Sequence, residues 1–207
     1  MPAVSIRRVR ASGIEPAFES SSGDIRLGRR ICIYGRGGKT SLSRALGDLS
    51  GLPVIELDAI FWLPNWVERD GDEMLEIVRE RIGESPDGWI IDGNYSKIRP
   101  HILPLADTVI WLNLPTWSVT IRIVKRTMLN VLRRNRICGD NYESLFNAIA
   151  PSSVIWFNAF GGKRSQKRVA ESLRTAELDA NVYEIRSYRE LNDFYCGFNL
   201  DQKEYLT

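Results

Sequence analysis

The clearest chemistry in the sequence lies in one short run of residues, Gly35–Ser41, with the letters GRGGKTS. Closely spaced glycines let backbone N–H groups turn toward an anion, and the positive end of a following helix adds to the attraction. A lysine in such a loop reaches the β- and γ-phosphates of a nucleotide, and the hydroxyl residue after it ligates Mg²⁺. The run therefore predicts a nucleotide site made of Gly35, Arg36, Gly37, Gly38, Lys39, Thr40 and Ser41, with Thr40 at the metal.

The predicted loop is shorter than the full motif, G-x-x-x-x-G-K-[ST], because Gly35 lies only four positions before Lys39. Counted back from the lysine, the first glycine position of the motif falls on Ile33. One outcome is a tighter loop that uses Ile33 and Tyr34 as well. The other is a glycine-rich turn between a strand and a helix that binds no ligand.

The elements on either side of the loop are those that such a site requires. The apolar run Ile31–Tyr34 predicts a strand buried on both faces, and Leu42 and Leu46 begin a helix that ends at Gly51. Strands alternating with helices predict an α/β fold with a parallel sheet. Further strands are predicted at 52–58, 88–92, 107–114 and 181–186, a packed loop at 59–67, and helices at 70–83, from 115 onward, at 141–160, at 163–173 and at 188–198.

The helix that follows Pro115 carries an apolar stripe at helical spacing, which predicts its buried face. The residues of the stripe are Trp117, Ile121, Val124, Met128 and Val131.

Composition narrows the class of protein. The chain has 207 residues, 43% of them hydrophobic, and a net charge of +2, which favours one globular domain and gives no reason to expect nucleic acid or a membrane as partner. Cys32, Cys138 and Cys196 lie far apart without metal spacing, so a reduced, cytoplasmic protein is expected. Residues 1–29 form an N-terminal extension, either a hairpin with strands near 4–9 and 25–27 or a loose segment, and residues 30–207 form the main domain.

Five motifs in a fixed order indicate a family. Gly-Gly-Lys-Thr, LPVIELDAIFWLPNW, WIIDGNY, DTVIWLNLP and an Arg-x-x-x-Arg helix follow one another between about residues 30 and 195. In this order they resemble the P-loop kinases related to adenylate kinase, and most closely the bacterial topology modulation protein group. The resemblance implies a three-layer α/β/α P-loop NTPase fold with a five-stranded parallel sheet. It also implies ATP or GTP with Mg²⁺, and phosphoryl transfer.

The resemblance implies roles for three residues. Asp92 of WIIDGNY corresponds to a carboxylate that holds the hydration shell of Mg²⁺, although a turn or helix-capping aspartate is the alternative. Arg122 corresponds to an arginine that packs on the base, and Arg126 to one that meets the transferring phosphate. Arginine suits both tasks because its planar guanidinium stacks on rings and grips phosphate oxygens. The alternative is a solvated basic helix face.

The acceptor side of the expected site departs from adenylate kinases. Ser96, followed by Lys97, occupies the position of an arginine that clamps a nucleotide acceptor, which favours a different acceptor. Asp58 corresponds to an aspartate that contacts an acceptor hydroxyl in the small-molecule kinases of the superfamily, or it caps a turn. Trp62 and Trp66 are candidates for an acceptor wall. The basic run 163–168 is either a lid over phosphates or a solvated helix face.

These observations predict a Mg²⁺-dependent enzyme that transfers the γ-phosphoryl group of ATP to a small acceptor. The expected catalytic residues are Lys39, Asp58, Asp92 and Arg126, and the expected metal site is Thr40 with Asp92 acting through water. A regulatory ATPase with little phosphoryl transfer, or a non-catalytic interaction module on a degenerate P-loop fold, are the alternatives.

Overall fold

The computed structural model describes residues 18–21, 23–133, 136–137, 141–142, 162–175 and 178–200. In chain order its strands are β1 (Phe18–Glu19), β2 (Arg26–Leu27), β3 (Arg30–Gly35), β4 (Val54–Glu56), β5 (Trp62–Leu63), β6 (Val67–Glu68), β7 (Trp89–Asp92), β8 (Thr108–Leu112), β9 (Arg136–Ile137), β10 (Asn141–Tyr142) and β11 (Asn181–Ile185). Its helices are α1 (Lys39–Ser50), α2 (Leu57–Phe61), α3 (Gly71–Gly83), α4 (Arg99–Ile102), α5 (Thr116–Arg133), α6 (Gly162–Thr175) and α7 (Tyr188–Gly197).

Five parallel strands form the central sheet in the order β11-β8-β3-β7-β4. The register pairs Ile33 of β3 with Asp92 of β7, and Gly35 of β3 with Leu112 of β8. Because parallel strands end at one edge, the loop after β3 and the carboxylate that ends β7 lie side by side. Ligands bind at this carboxyl edge in open α/β sheets.

Alternating side chains of β3 divide the core into two layers. Ile31 and Ile33 pack with Leu42 and Leu46 of α1 and with Leu191 of α7. On the other face, the residues that pack together include Cys32, Tyr34, Met74, Val78 and Val169, from β3, α3 and α6. The fold is therefore a three-layer α/β/α sandwich with a five-stranded parallel sheet, as predicted.

The start of α3 is set by a side-chain cap, as the sequence predicts. The Asp70 carboxylate accepts hydrogen bonds from the backbone N–H groups of Asp72 and Glu73, at 2.8 and 3.4 Å. These bonds satisfy N–H groups that a helix leaves without internal acceptors, and they lower the pKa of Asp70. The helix ends at Gly83, so both predicted ends are confirmed.

The segment 52–68 differs from the prediction. Strand β4 ends at Glu56, and Asp58 lies in the first turn of the short helix α2 instead of ending a strand. The predicted loop 59–67 contains the end of α2, a one-turn 3₁₀ helix at Pro64–Trp66, and the antiparallel pair of β5 and β6. Leu57 and Ile60, which are buried three positions apart, provide the apolar face that favours the helix.

The predicted buried face of α5 is wrong. Trp117 is 71% exposed, Ile121 49% and Met128 57%, whereas Val119 and Ile123 are buried against the sheet. Both sets recur at helical spacing, because the helix is apolar on two sides. Periodicity alone therefore could not tell which of the two faces the sheet covers.

The structure describes only part of the N-terminal extension. Strands β1 and β2 pair antiparallel across residues 20–25, whereas the strand expected near residues 4–9 lies outside the described residues. Of the helix predicted at 141–160, Asn141 and Tyr142 form β10, and the remainder also lies outside the described residues. Within the described ranges, none of the helices combines the length and apolarity that crossing a membrane requires.

Candidate active site

The glycine run forms a tight connection between β3 and α1. Gly35, Gly37 and Gly38 all have positive φ angles, of 116°, 71° and 88°. A Cβ atom on Gly35 would lie 2.2 Å from the carbonyl oxygen of Leu112, so only glycine fits there. Helix α1 begins at Lys39 directly after the left-handed Gly38, and the amides of its first turn have no acceptors within the helix. This is the geometry of an anion site at a helix N-terminus.

The base of the loop is held by the side-chain amide of Asn94. The backbone N–H of Gly35 donates to Asn94 Oδ1 at 2.8 Å, and Asn94 Nδ2 donates back to the carbonyl oxygen of Gly35. The N–H of Arg36 donates to the carbonyl oxygen of Leu112 at 3.3 Å. Since the first two amides of the run bind the protein, an anion would meet the amides from Gly37 onward. The side chain of Asn94, two residues after the end of β7, thus fixes the start of the shortened loop.

Two predicted catalytic residues, Lys39 and Asp92, meet the predicted metal residue Thr40 at this loop. The Lys39 ammonium lies 3.5 Å from Asp92 Oδ1, and the Thr40 hydroxyl donates to Asp92 Oδ2 at 2.7 Å. The side chains of Lys39 and Asp92 are only 14% and 6% exposed. The helix N-terminus, the lysine and the carboxylate therefore form one partly dehydrated cluster, in which electrostatic interactions are stronger than in water.

The electrostatics of Asp92 favour a bound cation. Burial raises the pKa of its carboxyl group, Lys39 and Thr40 lower that pKa, and the negative charges of Asp58 and Glu56 raise it again. A carboxylate beside a hydroxyl oxygen offers the hard donors that Mg²⁺ prefers, and Mg²⁺ commonly completes its shell with water and substrate phosphates. Thr40 and Asp92 fit the predicted metal.

The predicted base-binding residue Arg122 lies beside the loop. Its guanidinium carbon is 4.6 Å from the ring centroid of Tyr188, the first residue of α7. A Cβ atom on Gly37 would lie 3.2 Å from the Tyr188 hydroxyl oxygen, so this pair stands next to the loop. One turn further along α5, the side chain of Arg126 lies outside the part of the chain that the structure describes.

Arg36 faces the protein interior. Its side chain is 4% exposed, and its Nη2 donates to the Thr116 hydroxyl at the start of α5 at 2.9 Å. Burial lowers the pKa of this guanidinium. The contribution of Arg36 to a nucleotide site is thus through the loop backbone, with its side chain fixing α5 against the loop. Ser41, the third residue of α1, is partly buried.

Asp58 lies on the acceptor side, as an exposed carboxylate of α2. The Tyr95 hydroxyl donates to Asp58 Oδ1 at 2.8 Å. The Tyr95 ring lies 4.8 Å from that of Phe61, and rings continue through Trp62 to Trp66 at centroid distances of 4.9 and 5.5 Å. The two predicted wall tryptophans therefore belong to an aromatic group next to Asp58. This group is defined here as Phe61, Trp62, Trp66 and Tyr95.

Comparison with known proteins gives little beyond the fold. No family matches the chain, and no curated protein matches it. Among solved structures it is similar to a gluconokinase from Sinorhizobium meliloti 1021, with 17% sequence identity and a TM-score of 0.39 over 72% of this chain and 98% of that chain. The chain itself has a three-layer α/β/α fold with a glycine loop at the carboxyl edge of its five-stranded parallel sheet. A likeness this distant says nothing about activity or acceptor.

The structure brings two further residues to the loop that the sequence did not single out for a role. The Asn94 side chain binds both backbone groups of Gly35. The backbone carbonyl oxygen of Asn94 accepts a hydrogen bond from Arg99 Nη2 at 3.0 Å. Arg99 is 4% exposed and also donates to the Ser172 hydroxyl of α6 at 3.1 Å. For Asn94, its position directly after Asp92 and Gly93 indicated nearness to the sheet edge, but nothing in the sequence indicated its partner.

Proposed function

We propose that this chain is a Mg²⁺-dependent phosphotransferase that moves the γ-phosphoryl group of ATP to a hydroxyl group of a small molecule, with GTP as the other candidate donor. The observation that supports this most strongly is the cluster of Lys39, Thr40 and Asp92 at a glycine loop and helix N-terminus. The order of motifs further favours membership of the topology modulation protein group. The chain's partners are then a nucleotide and a small acceptor.

The roles follow from positioning and charge. Lys39 and the amides from Gly37 onward hold the β- and γ-phosphates, and Thr40 and Asp92 hold Mg²⁺, which neutralises charge that develops on the phosphoryl oxygens. Arg122 binds the base, and Arg126 approaches the transferring group. Asp58 orients the acceptor hydroxyl and takes its proton as the phosphoryl group arrives.

The test of this proposal removes the lysine. Lys39→Ala should fold normally, lose activity and bind ATP more weakly, because a partly dehydrated ammonium on the phosphates has no substitute. Arg81→Ala, which removes a positive charge from the exposed face of α3, serves as control and should match the wild type. Calorimetric titration with ATP and Mg²⁺ and the rate of ADP formation are the measurements. Unchanged ATP affinity in a folded Lys39→Ala variant would refute the nucleotide site.

A regulatory ATPase is favoured by two observations: the first two loop amides are bound to the protein, and Ser96 replaces an acceptor-clamping arginine. Such a protein would bind ATP and release phosphate to water at the same slow rate with or without acceptors. Acceptor-dependent ADP formation separates the two functions. A non-catalytic module would not bind ATP at all.

A further inference from the structure

A small cleft opens beside the aromatic group, next to Asp58. Its volume is about 80 Å³, and its lining includes Phe61, Met74, Tyr95 and Ile98. Met74 and Ile98 are each 1% exposed and form an apolar floor, while the half-buried rings of Phe61 and Tyr95 stand at its side. The exposed Lys97 also borders the cleft. The lining is apolar with few polar groups, as in small-molecule sites, and at this volume the cleft would cover one face of a small ligand.

A series of contacts connects the cleft to the cluster of Lys39, Thr40 and Asp92. Lys39 and Thr40 contact Asp92, at 3.5 and 2.7 Å. Asn94, two residues after Asp92, binds both backbone groups of Gly35 at the base of the loop. The next residue, Tyr95, lines the cleft with its ring and donates a hydrogen bond from its hydroxyl to Asp58. A molecule in the cleft would therefore present its polar edge to Asp58, on the side facing the loop.

We propose that this cleft binds the acceptor, and that the acceptor is a small, uncharged, hydroxyl-rich molecule with an apolar face, such as a cyclic polyol or a monosaccharide. This rests on the phosphotransferase function proposed above and adds the class of acceptor to it. Tyr95 is a positioning residue, because it holds Asp58 Oδ1 and directs Oδ2 toward the acceptor hydroxyl.

Charge selects against other acceptors. A nucleoside monophosphate would bring a phosphate group toward the two carboxylates of Asp58 and Asp92, whose repulsion the single charge of Lys97 offsets only in part. An amino alcohol would suit an aromatic wall beside a carboxylate, but its ammonium would approach Lys97. An uncharged molecule avoids both conflicts. Its hydroxyl groups can bind Asp58, and its C–H face can pack on the rings and the apolar floor.

The proposed transfer step involves ATP, the acceptor hydroxyl and the carboxylate of Asp58. The acceptor oxygen forms a bond to the γ-phosphorus of ATP while the bond from that phosphorus to the bridging oxygen breaks. The electron pair of the broken bond leaves with ADP. The hydroxyl proton of the acceptor passes to Asp58 Oδ2.

The test measures binding and transfer separately. The probes are myo-inositol and D-glucose, with AMP, CMP and ethanolamine as competing classes. Binding is followed by tryptophan fluorescence in the presence of Mg²⁺ and a non-hydrolysable ATP analogue, since Trp62 and Trp66 stand beside the cleft. Transfer is followed by ADP formation from ATP. Myo-inositol or D-glucose should give a saturable fluorescence change and should stimulate ADP formation.

Two variants test the assigned residues. Tyr95→Phe removes one hydroxyl and keeps the ring, so kcat should fall by about 10-fold while the KM values for acceptor and ATP stay within about threefold. Phe61→Ala removes part of the wall, so the acceptor KM should rise by about 10-fold or more with the ATP KM unchanged. Trp117→Ala, which alters a 71% exposed tryptophan on α5, is the control and should leave both unchanged. If Phe61→Ala does not fold, Tyr95→Phe still carries the test.

The outcomes separate the two proposals. Polyol binding without phosphorylation supports the cleft and refutes the phosphotransferase function. Phosphorylation of AMP or CMP but not of the polyols keeps that function and refutes the cleft's assignment. Saturable binding of ethanolamine in preference to the polyols, or binding of none of the five probes, overturns the acceptor class.

Discussion

Replacing Asn94 tests whether a side chain outside the loop maintains the shortened phosphate site. In Asn94→Ala the backbone N–H and the carbonyl oxygen of Gly35 both lose their side-chain partner. The five-stranded sheet does not depend on this amide, because the ladders of β3 with β7 and β8 are made by backbone groups. The substitution should therefore leave the sheet intact and mainly make the loop less ordered.

The magnitude follows from the two hydrogen bonds. A buried polar group that loses its partner costs about 1–3 kcal/mol. Because Asn94 is only half-buried, water replaces part of the loss, and two bonds together give about 2–4 kcal/mol. If ATP must restore this order when it binds, its affinity falls by about 30- to 700-fold, since about 1.4 kcal/mol corresponds to a factor of ten.

Calorimetric titration with ATP and Mg²⁺, together with thermal unfolding, measures both effects. Asn113→Ala is the matched control, since it removes another side-chain amide at the same sheet edge, where Nδ2 donates to Glu184 Oε1 at 2.8 Å. Both variants should unfold at a somewhat lower temperature, and only Asn94→Ala should lose ATP affinity. Equal ATP affinities for the two variants would show that Asn94 stabilises the fold and does not shape the site.

Three further changes test the remaining roles. Asp92→Asn keeps the shape of the side chain but removes the charge that would hold Mg²⁺, so kcat at saturating Mg²⁺ should fall by about 10²-fold or more, and wild-type turnover would contradict the role. Arg126→Ala should lower kcat and kcat/KM together, whereas Arg122→Ala should mainly raise the nucleotide KM, and steady-state kinetics of both variants distinguishes these patterns. Asp58→Asn should bind ATP as the wild type does and transfer nothing, so robust phosphorylation of a nucleoside monophosphate by this variant would refute both its role and the acceptor class.

The sequence predicts the central sheet well because its signals there are local and agree with one another. A buried apolar run, a glycine turn and a helix with leucines four apart define β3, the loop and α1. The carboxylates at 70 and 92 could also be placed, one as a helix cap and one at a strand end. Since parallel strands share an edge, the meeting of Lys39, Thr40 and Asp92 followed from topology alone.

The predictions that were wrong concern segments whose sequence fits two structures equally well, so that only tertiary packing decides between them. Helix α5 is apolar on two sides, and only packing against the sheet decides that Val119 and Ile123 face inward while Trp117 faces out. Residues 57–61 are apolar apart from Asp58 and follow β4 directly, so a longer strand and a short helix explain the pattern equally well. The hydrogen bonds of Asn94 to Gly35 span 59 positions of the chain, and no local signal reports them.

Two carboxylates at one sheet edge are given different tasks by their surroundings. Asp92 is buried between an ammonium and a hydroxyl group, which suits a fixed negative charge that a metal ion compensates. Asp58 is exposed to solvent and held by one tyrosine hydroxyl, which leaves its other oxygen able to accept a proton. Because the environments differ, the two groups need not compete for the same proton or cation. In the proposed phosphotransferase, this difference would let Asp92 serve the metal ion and Asp58 the acceptor hydroxyl.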